Sequence, residues 1–173
     1  MMEHVKHQDG PGIYCTFWLD QHCFAVPSST IREIQHAVPW TPVPGTHDTI
    51  CGYVNLRGQL YLVMNPDSLL LGRSARISIE RDLIVFRQEV GESFAIVVDA
   101  IGDITTITED QYHVQITDLN PKDRMDPAHS SSGLIKGHAT LAKQLVTLVD
   151  PHLFPLLGMN QESSLATESG LNS

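Results

Sequence analysis

The segment 50–66 recurs as the segment 135–151, at a constant offset of 85 residues (135 minus 50). Six positions are identical in the two copies: Ile50/Ile135, Gly52/Gly137, Leu56/Leu141, Gln59/Gln144, Leu60/Leu145 and Pro66/Pro151. Such self-similarity predicts one structural unit that is used twice. Shared positions are expected to build the unit. Ala142-Lys143 stands where the first copy has Arg57-Gly58, so Arg57 is the first candidate for a role other than folding.

The length and charge of the chain limit the classes it can belong to. A chain of 173 residues is one domain, or two small subdomains around one core. Charged residues make up 18%, below the roughly 25% of an average soluble domain, which favours a surface that partners partly cover. The net charge of −9 argues against nucleic acid and against anionic lipid as partners.

The hydrophobic runs of the sequence are short. None reaches the roughly 20 residues of a membrane span, and the first twelve residues lack a signal-peptide core. We therefore expect a cytoplasmic protein with no direct membrane insertion. Cys15, Cys23 and Cys51 are odd in number and lie in apolar runs without a Cys-x-x-Cys spacing. This pattern favours buried, reduced thiols over a disulfide framework or a zinc site.

Most of the chain shows the alternation and short apolar runs that are typical of strands. Strands are predicted over residues 14–19, 22–26, 31–34, 54–56, 60–64, 82–88, 94–100, 102–107 and 145–149. Helix is scarce. Asn65-Pro66 and Asp150-Pro151 each pair a capping side chain with a proline suited to the first turn, which predicts a short helix after each copy. The fold class is therefore all-β, with two barrel-like halves that each end in a short helix.

The stretch from Val54 to Leu60 reads as strand, tight turn, strand. Asn55 suits the first turn position, and Gly58 supplies the positive φ that closes a bulged hairpin. The polar segment 117–133 is predicted to be a mobile loop. Residues 1–12 and 159–173 are predicted to be a disordered tail and a flexible tail.

The sequence offers little for catalysis. None of the nine histidines forms a His-x-x-x-His or His-Glu-x-x-His spacing, and neither a Gly-x-Ser-x-Gly elbow nor a phosphate-binding Gly-rich loop occurs. Asp99 ends an apolar strand, where a turn or capping role is the commoner one. A small hydrolase or metal-dependent enzyme that uses histidines with Asp99 or Asp103 is the alternative from a different class.

Two groups of residues permit a binding role. Arg57 is either a solvated hairpin tip, paired with an acid such as Asp99, or a rigidly displayed guanidinium that anchors a partner through carboxylate or carbonyl groups. The second group is Ile31, Glu33 and Ile34. Either the isoleucines belong to the core and Glu33 to the surface, or the three residues form an apolar groove with a charge at its edge.

The residues 50–60, Ile-Cys-Gly-Tyr-Val-Asn-Leu-Arg-Gly-Gln-Leu, resemble the central signature of CheW-type chemotaxis coupling proteins. Further blocks agree in order along residues 13–157. They are Thr16-Phe17-Trp18-Leu19 with Phe24-Ala25-Val26-Pro27, Ile31-Arg32-Glu33-Ile34, Pro42-Val43-Pro44, the run 94–104 and the closing segment 134–150. Asn65 stands where the family usually has Asp, and Asn also caps a helix. The insertion at 118–132 and the His-rich N-terminus are departures from the family pattern.

The resemblance implies a fold and an assembly. The fold would be two five-stranded, SH3-like β-barrels around a shared core within residues 13–158, with approximate subdomains 13–72 and 73–158 and a first strand that crosses over. The protein would be a non-catalytic adaptor without cofactor or metal. Its partners would be the cytoplasmic hairpin of a chemoreceptor and the regulatory domain of a CheA-type histidine kinase, in a receptor array. A pilus or gliding kinase system is an alternative setting.

The resemblance also implies the binding residues. By position, Arg57 matches the signature arginine that contacts the receptor, and Asn55 is its neighbour in the motif. Ile31, Glu33 and Ile34 match the segment that lines the receptor groove. An apolar groove that receives a helical hairpin is a recurrent recognition mode. No kinase-binding residue is implied.

Overall fold

The computed structural model describes residues 10–74, 80–114 and 133–157. The predicted N-terminal tail lies outside these residues except for positions 10–12. The predicted C-terminal tail lies outside them entirely, and so does the predicted loop at 117–133 except for Gly133.

The described residues form twelve strands and little helix, which confirms the predicted all-β class. The strands are β1 (Gly12–Leu19), β2 (His22–Pro27), β3 (Ile31–Pro39), β4 (Thr41–Pro42), β5 (Ile50–Leu56), β6 (Gln59–Met64), β7 (Glu80–Phe86), β8 (Phe94–Val98), β9 (Ala100–Ile107), β10 (Tyr112–Val114), β11 (Ile135–Leu141) and β12 (Gln144–Val149). A 3₁₀ turn spans Ser28–Thr30, and the helix α1 spans Pro66–Leu70. Residues 153–157 are also helical, so a short helix follows each copy of the repeat.

The strands are arranged in two curled sheets, which correspond to the two predicted SH3-like barrel subdomains. The orders are β10-β11-β12-β2-β1-β9 and β4-β5-β6-β8-β7-β3. Each sheet has six strands rather than the five expected, because a very short strand, β4 or β10, is added at one edge. The ranges 13–72 and 73–158 for the subdomains remain predictions.

The two sheet orders correspond strand for strand, because every strand takes the place of the strand six positions away along the chain. β3 follows β2 along the chain but pairs with β7 in the other sheet. β9 follows β8 but pairs with β1. The hairpin of β1 and β2 therefore shares a sheet with strands from the C-terminal half, and each sheet contains strands from both halves of the chain.

The sequence repeat is reproduced residue by residue. β5 and β11 begin and end at positions 85 apart, and so do β6 and β12. Both hairpins carry a register shift just before the shared glycine, Gly52 or Gly137. A Cβ on Gly52 would lie 2.0 Å from the carbonyl oxygen of Thr41, and one on Gly137 would lie 2.7 Å from that of His113. The shared glycines are thus explained by the close approach of a neighbouring strand.

The apolar side chains form three buried clusters. One lies inside the sheet of β3–β8 and includes Val54, Tyr61, Val63 and Val85. One lies inside the other sheet and includes Tyr14, Cys23, Val146 and Leu148. The largest, which we call the central core, joins the outer faces of both sheets to the short helices. Its members include Phe17, Leu19, Phe24, Val26, Met64, Ile84, Phe86, Phe94, Ile96, Val149 and Phe154.

Candidate functional site

Arg57 lies at the tip of the hairpin that joins β5 to β6. Leu56 pairs with Gln59, so the turn contains only Arg57 and Gly58. Both have positive φ, 54° and 85°. Two successive positive φ angles are typical of a type I′ turn, which matches the twist of the flanking strands. The predicted bulge at this turn is wrong, because the register shift lies at the other end of the hairpin, between Ile50 and Gly52.

The guanidinium of Arg57 pairs with a carboxylate from another part of the chain. Its Nη2 lies 3.0 Å from Oε2 of Glu33 on β3. The Arg57 side chain is 75% exposed, whereas that of Glu33 is 17% exposed. An ion pair at such an exposed site contributes about 0–1 kcal/mol to folding. The arrangement therefore holds a charged group outward in a defined position and adds little to the stability of the fold.

Asp99, the acid suggested as a partner for Arg57, has other partners. Its carboxylate pairs with Arg81 and accepts a hydrogen bond from the backbone N–H of Asp20 at 2.5 Å. Asp99 lies at the bend between β8 and β9, in agreement with the predicted turn role. The structure thus brings Arg57 together with Glu33, a residue that the sequence had placed in the same candidate site for a different reason.

Asn55 supports the hairpin from within β5. It was predicted at the first turn position, but it lies on the strand and pairs with Leu60. Its Oδ1 accepts a hydrogen bond from the backbone N–H of Gly58 at 2.9 Å, so it braces the turn that carries Arg57. Its side chain is exposed, and its amide nitrogen remains a donor on the surface.

The three candidates on β3 do not share one face. Glu33 pairs with Val85, which belongs to the cluster inside the sheet. Ile34 pairs with Ile84, which belongs to the central core. Since paired residues point to the same side of a sheet, Glu33 faces the barrel interior and Ile34 faces outward. Ile31 packs against the central core as well. The segment is therefore partly core and partly surface, with its charged residue on the side of the sheet that faces the barrel interior.

A hydrogen-bond chain below this site was not predicted. Arg32 donates from Nη1 to the hydroxyl of buried Tyr61 at 2.6 Å, and that hydroxyl donates to Oε1 of Gln59 at 3.1 Å. Gln59 in turn donates from Nε2 to Oγ of Ser93 at 2.8 Å. The chain ties β3 to β6 and to the connection between β7 and β8, which fixes the strands that carry Glu33 and Arg57. The alternation of apolar and polar residues along the strands does not predict this hydrogen-bond chain.

A second unpredicted feature is a group of charges where the two sheets meet. Arg73 lies 3.3 Å from Asp20 and 4.0 Å from Asp67, while Arg81 pairs with Asp99. Burial raises the pKa of Asp67, and the neighbouring arginines oppose that rise. The group joins the β1–β2 turn of one sheet to α1 and β7 of the other, so it is best described as an inter-sheet contact.

The described residues offer little for metal or nucleophilic chemistry. Across residues 10–74, 80–114 and 133–157, no group of three or more His, Cys, Asp or Glu side chains could hold a metal ion. All three cysteines are free, and burial raises the pKa of each thiol. None of the helices within those ranges is long and apolar enough to cross a membrane.

Comparisons with known proteins agree with this architecture. The family model described as "CheW-like domain" matches residues 14–156. The chain is similar to the chemotaxis protein CheW of Rhizobium meliloti (strain 1021), with 31% identity over 86 residues, which is 50% of this chain and 55% of the relative. It is also similar to the probable chemotaxis protein CheW of Rhizobium etli, with 29% identity over 87 residues, 50% of this chain and 56% of the relative. The chain thus spans about half the length of these curated relatives.

One solved structure extends the likeness to the fold. The scaffolding protein TtCheW from Thermoanaerobacter tengcongensis superposes with a TM-score of 0.65 and 20% identity. The superposition covers 83% of this chain and 92% of that structure.

Proposed function

The chain belongs to the CheW-like family, and on that premise we propose that it is a non-catalytic adaptor that couples chemoreceptor cytoplasmic tips to a CheA-type histidine kinase. It works in the cytoplasm, at membrane-associated receptor arrays. It binds two proteins, the helical hairpin of a chemoreceptor and the regulatory domain of the kinase. A pilus or gliding kinase system is the alternative setting for the same role.

The observation that carries this proposal is the display of Arg57. A two-residue turn fixes its backbone, Asn55 braces that turn, and Glu33 orients its guanidinium while leaving it 75% exposed. A preorganised guanidinium loses less conformational entropy on binding than a free one. Arginine is also among the residues that dominate the energetics of protein interfaces. The groups that suit it on a receptor hairpin are carboxylates and carbonyl oxygens.

The apolar part of the proposed receptor site is provided by β3. Ile31 packs against the central core, Ile34 pairs with the core residue Ile84, and both are partly buried. A helical hairpin could add its apolar side chains to this margin while an acceptor group reaches Arg57. Glu33 then acts mainly through Arg57, which it positions, whereas Asn55 both braces the turn and presents its amide nitrogen to the partner.

The experiment is a binding titration with a purified chemoreceptor cytoplasmic hairpin fragment, using the wild-type chain, Arg57→Ala and Lys143→Ala. Lys143 is an exposed cation in the equivalent turn of the second copy, so it controls for loss of surface charge. We expect Arg57→Ala to cost about 1–4 kcal/mol of binding free energy and Lys143→Ala to cost little. Thermal unfolding checks that both variants remain folded.

Two results would count against the proposal. The first is a wild-type chain that does not associate with the fragment. The second is equal binding by wild type and Arg57→Ala. A pull-down from the host then distinguishes a motility kinase from a pilus or gliding kinase.

A further inference from the structure

The two copies of the repeat expose the same leucine. Leu60 on β6 is 60% exposed, and its equivalent Leu145 on β12 is 61% exposed. Contiguous exposed apolar surface marks contact sites for partners, whereas a single exposed apolar side chain does not, so the neighbours of each leucine matter. Because the two leucines match in strand position and in exposure, any difference in their roles must come from their neighbours.

Those neighbours differ in chemistry. Leu60 pairs across the hairpin with Asn55, and Leu145 pairs with Thr140. The turn beyond Leu60 carries Arg57, where the second copy has Ala142. The first leucine is thus bordered by an amide and a guanidinium, both of which donate hydrogen bonds. The second is bordered by a threonine, and the cation of its turn is the ammonium group of Lys143, which stands at the position of Gly58 and not at that of Arg57.

Leu60 also has an apolar neighbour. Tyr53 is 44% exposed and pairs with Leu62, one step along the ladder from the pair of Asn55 with Leu60. Residues on this diagonal lie on one face about 7–8 Å apart, which is within reach of an aromatic side chain. In the second copy the position of Tyr53 is occupied by His138, whose ring nitrogen Nδ1 lies 3.2 Å from the hydroxyl of Thr147.

This face continues into the core of the molecule. Along β6, Leu60 is exposed, Leu62 is partly buried against the central core, and Met64 is buried within it. Ile34, on β3 of the same sheet, also points to this outer face. The uncovered end of β6 is therefore an outward extension of an apolar face that the fold otherwise buries.

We propose that Leu60 and Tyr53 extend the receptor-binding surface and contact the apolar side of an amphipathic helix whose acceptor groups reach Arg57 and Asn55. This inference rests on the proposed function. Charge complementarity sets the chemistry of the partner, because the polar groups bordering the leucine are donors and require carboxylate, amide or carbonyl oxygens. A helix face that carries an apolar side chain beside an acidic or amide side chain would contact Leu60 and would also accept hydrogen bonds from Arg57 and Asn55.

The test uses the full chain and the same chemoreceptor hairpin fragment, with Leu60→Ala and Leu145→Ala as a matched pair. Both substitutions remove the same atoms from equally exposed strand positions. We expect Leu60→Ala to weaken binding about tenfold and Leu145→Ala to change it by less than about twofold. Tyr53→Ser is a second probe of the patch and should also weaken binding. Unfolding midpoints of all variants should stay close to that of the wild type.

The outcomes separate this inference from the proposed function. If Arg57→Ala weakens binding and Leu60→Ala does not, the extension is overturned and the adaptor role stands. If both leucine variants weaken binding equally, the patch has no specificity and the inference is overturned. If the wild-type chain does not bind the fragment, the proposed function and the inference both fail.

Discussion

The guanidinium of Arg57, at a hairpin tip, lies 3.0 Å from the carboxylate of Glu33 on a strand that is not its neighbour in the sheet order. Glu33 is largely buried and Arg57 is largely exposed. The acid therefore acts as a fixed anchor, and the arginine is the group that a partner can reach. This asymmetry supports the proposal that Glu33 positions Arg57 and that Arg57 contacts the partner.

Glu33→Gln tests that distinction. Removing the charge of Glu33 should change the free energy of unfolding by less than about 1 kcal/mol, because its partner Arg57 is exposed to solvent. It should weaken binding of the chemoreceptor fragment several-fold, since the guanidinium loses its orientation. Titrations of Glu33→Gln, Arg57→Ala and the double variant measure the coupling. Strict additivity of the two effects would contradict the positioning role.

Gly52 is predicted to be irreplaceable for steric reasons. A Cβ at this position would meet the Thr41 carbonyl oxygen at 2.0 Å, and its φ of 152° lies in the region that favours glycine. We expect Gly52→Ala to lower the free energy of unfolding by about 3 kcal/mol, measured by urea denaturation. Gly133→Ala is the control, because its Cβ would make an ordinary contact 3.4 Å from Leu153. Equal stability of the two variants would refute the steric account.

Asp150 is predicted to contribute stability that depends on pH. Burial alone would raise the pKa of its carboxyl, but hydrogen bonds from the ring and the backbone of His152, with the charge of Lys136, lower it below the ordinary value. A carboxyl with a lowered pKa in the folded state stabilises the fold above about pH 3.9, and this contribution is lost as the pH falls through the folded-state pKa.

Asp150→Asn isolates the charge, because Asn65 caps the equivalent helix in the first copy by accepting from the backbone N–H of Asp67. We expect the variant to be about 1–2 kcal/mol less stable than the wild type at pH 7. The difference should shrink as the pH is lowered below about 3.9, as followed by urea denaturation at several pH values. A constant difference at all pH values would argue against the charge as the cause.

Cys51 is predicted to weaken the fold in alkali. Burial raises the pKa of its thiol to about 12. The folded state therefore keeps a proton that the unfolded chain releases above about pH 8.5. Stability should be unaffected below that pH and should fall as the pH rises from there towards 12. Cys51→Ala should lose part of this alkaline sensitivity in thermal unfolding. If the stability of the variant and of the wild type depended on pH in the same way, the Cys51 thiol would not be a cause of the alkaline sensitivity.

The sequence alone predicted the elements whose signal is local. β6 and β12 were predicted to within one residue from alternation, turn residues and proline, whereas only the last three residues of β5 were predicted and β11 was not. Both strands of the first hairpin were predicted from the same kind of signal. β4 and β10 were missed because two or three residues are too few to show an alternation of apolar and polar side chains. They are strands because their backbones pair with β5 and β11.

The candidate site was predicted in part. Arg57 was identified because it differs from its counterpart Ala142, and a residue that the two copies do not share is not needed to build the repeated unit. Its pairing with Glu33 could not be predicted, since that contact depends on how the sheet curls. The polar chain from Arg32 to Ser93 and the charge group around Arg73 are tertiary contacts with no spacing rule along the chain.

Strand pairs that join the two halves of the chain determine how the molecule can be divided. Cutting the chain between β6 and β7 would leave each piece with a strand whose hydrogen-bonding neighbour is on the other piece. The fragments would then be obligate complements, able to regain the native pairing only by reassociating. The order of strands is thus the same in both sheets, yet neither half of the chain holds a complete sheet.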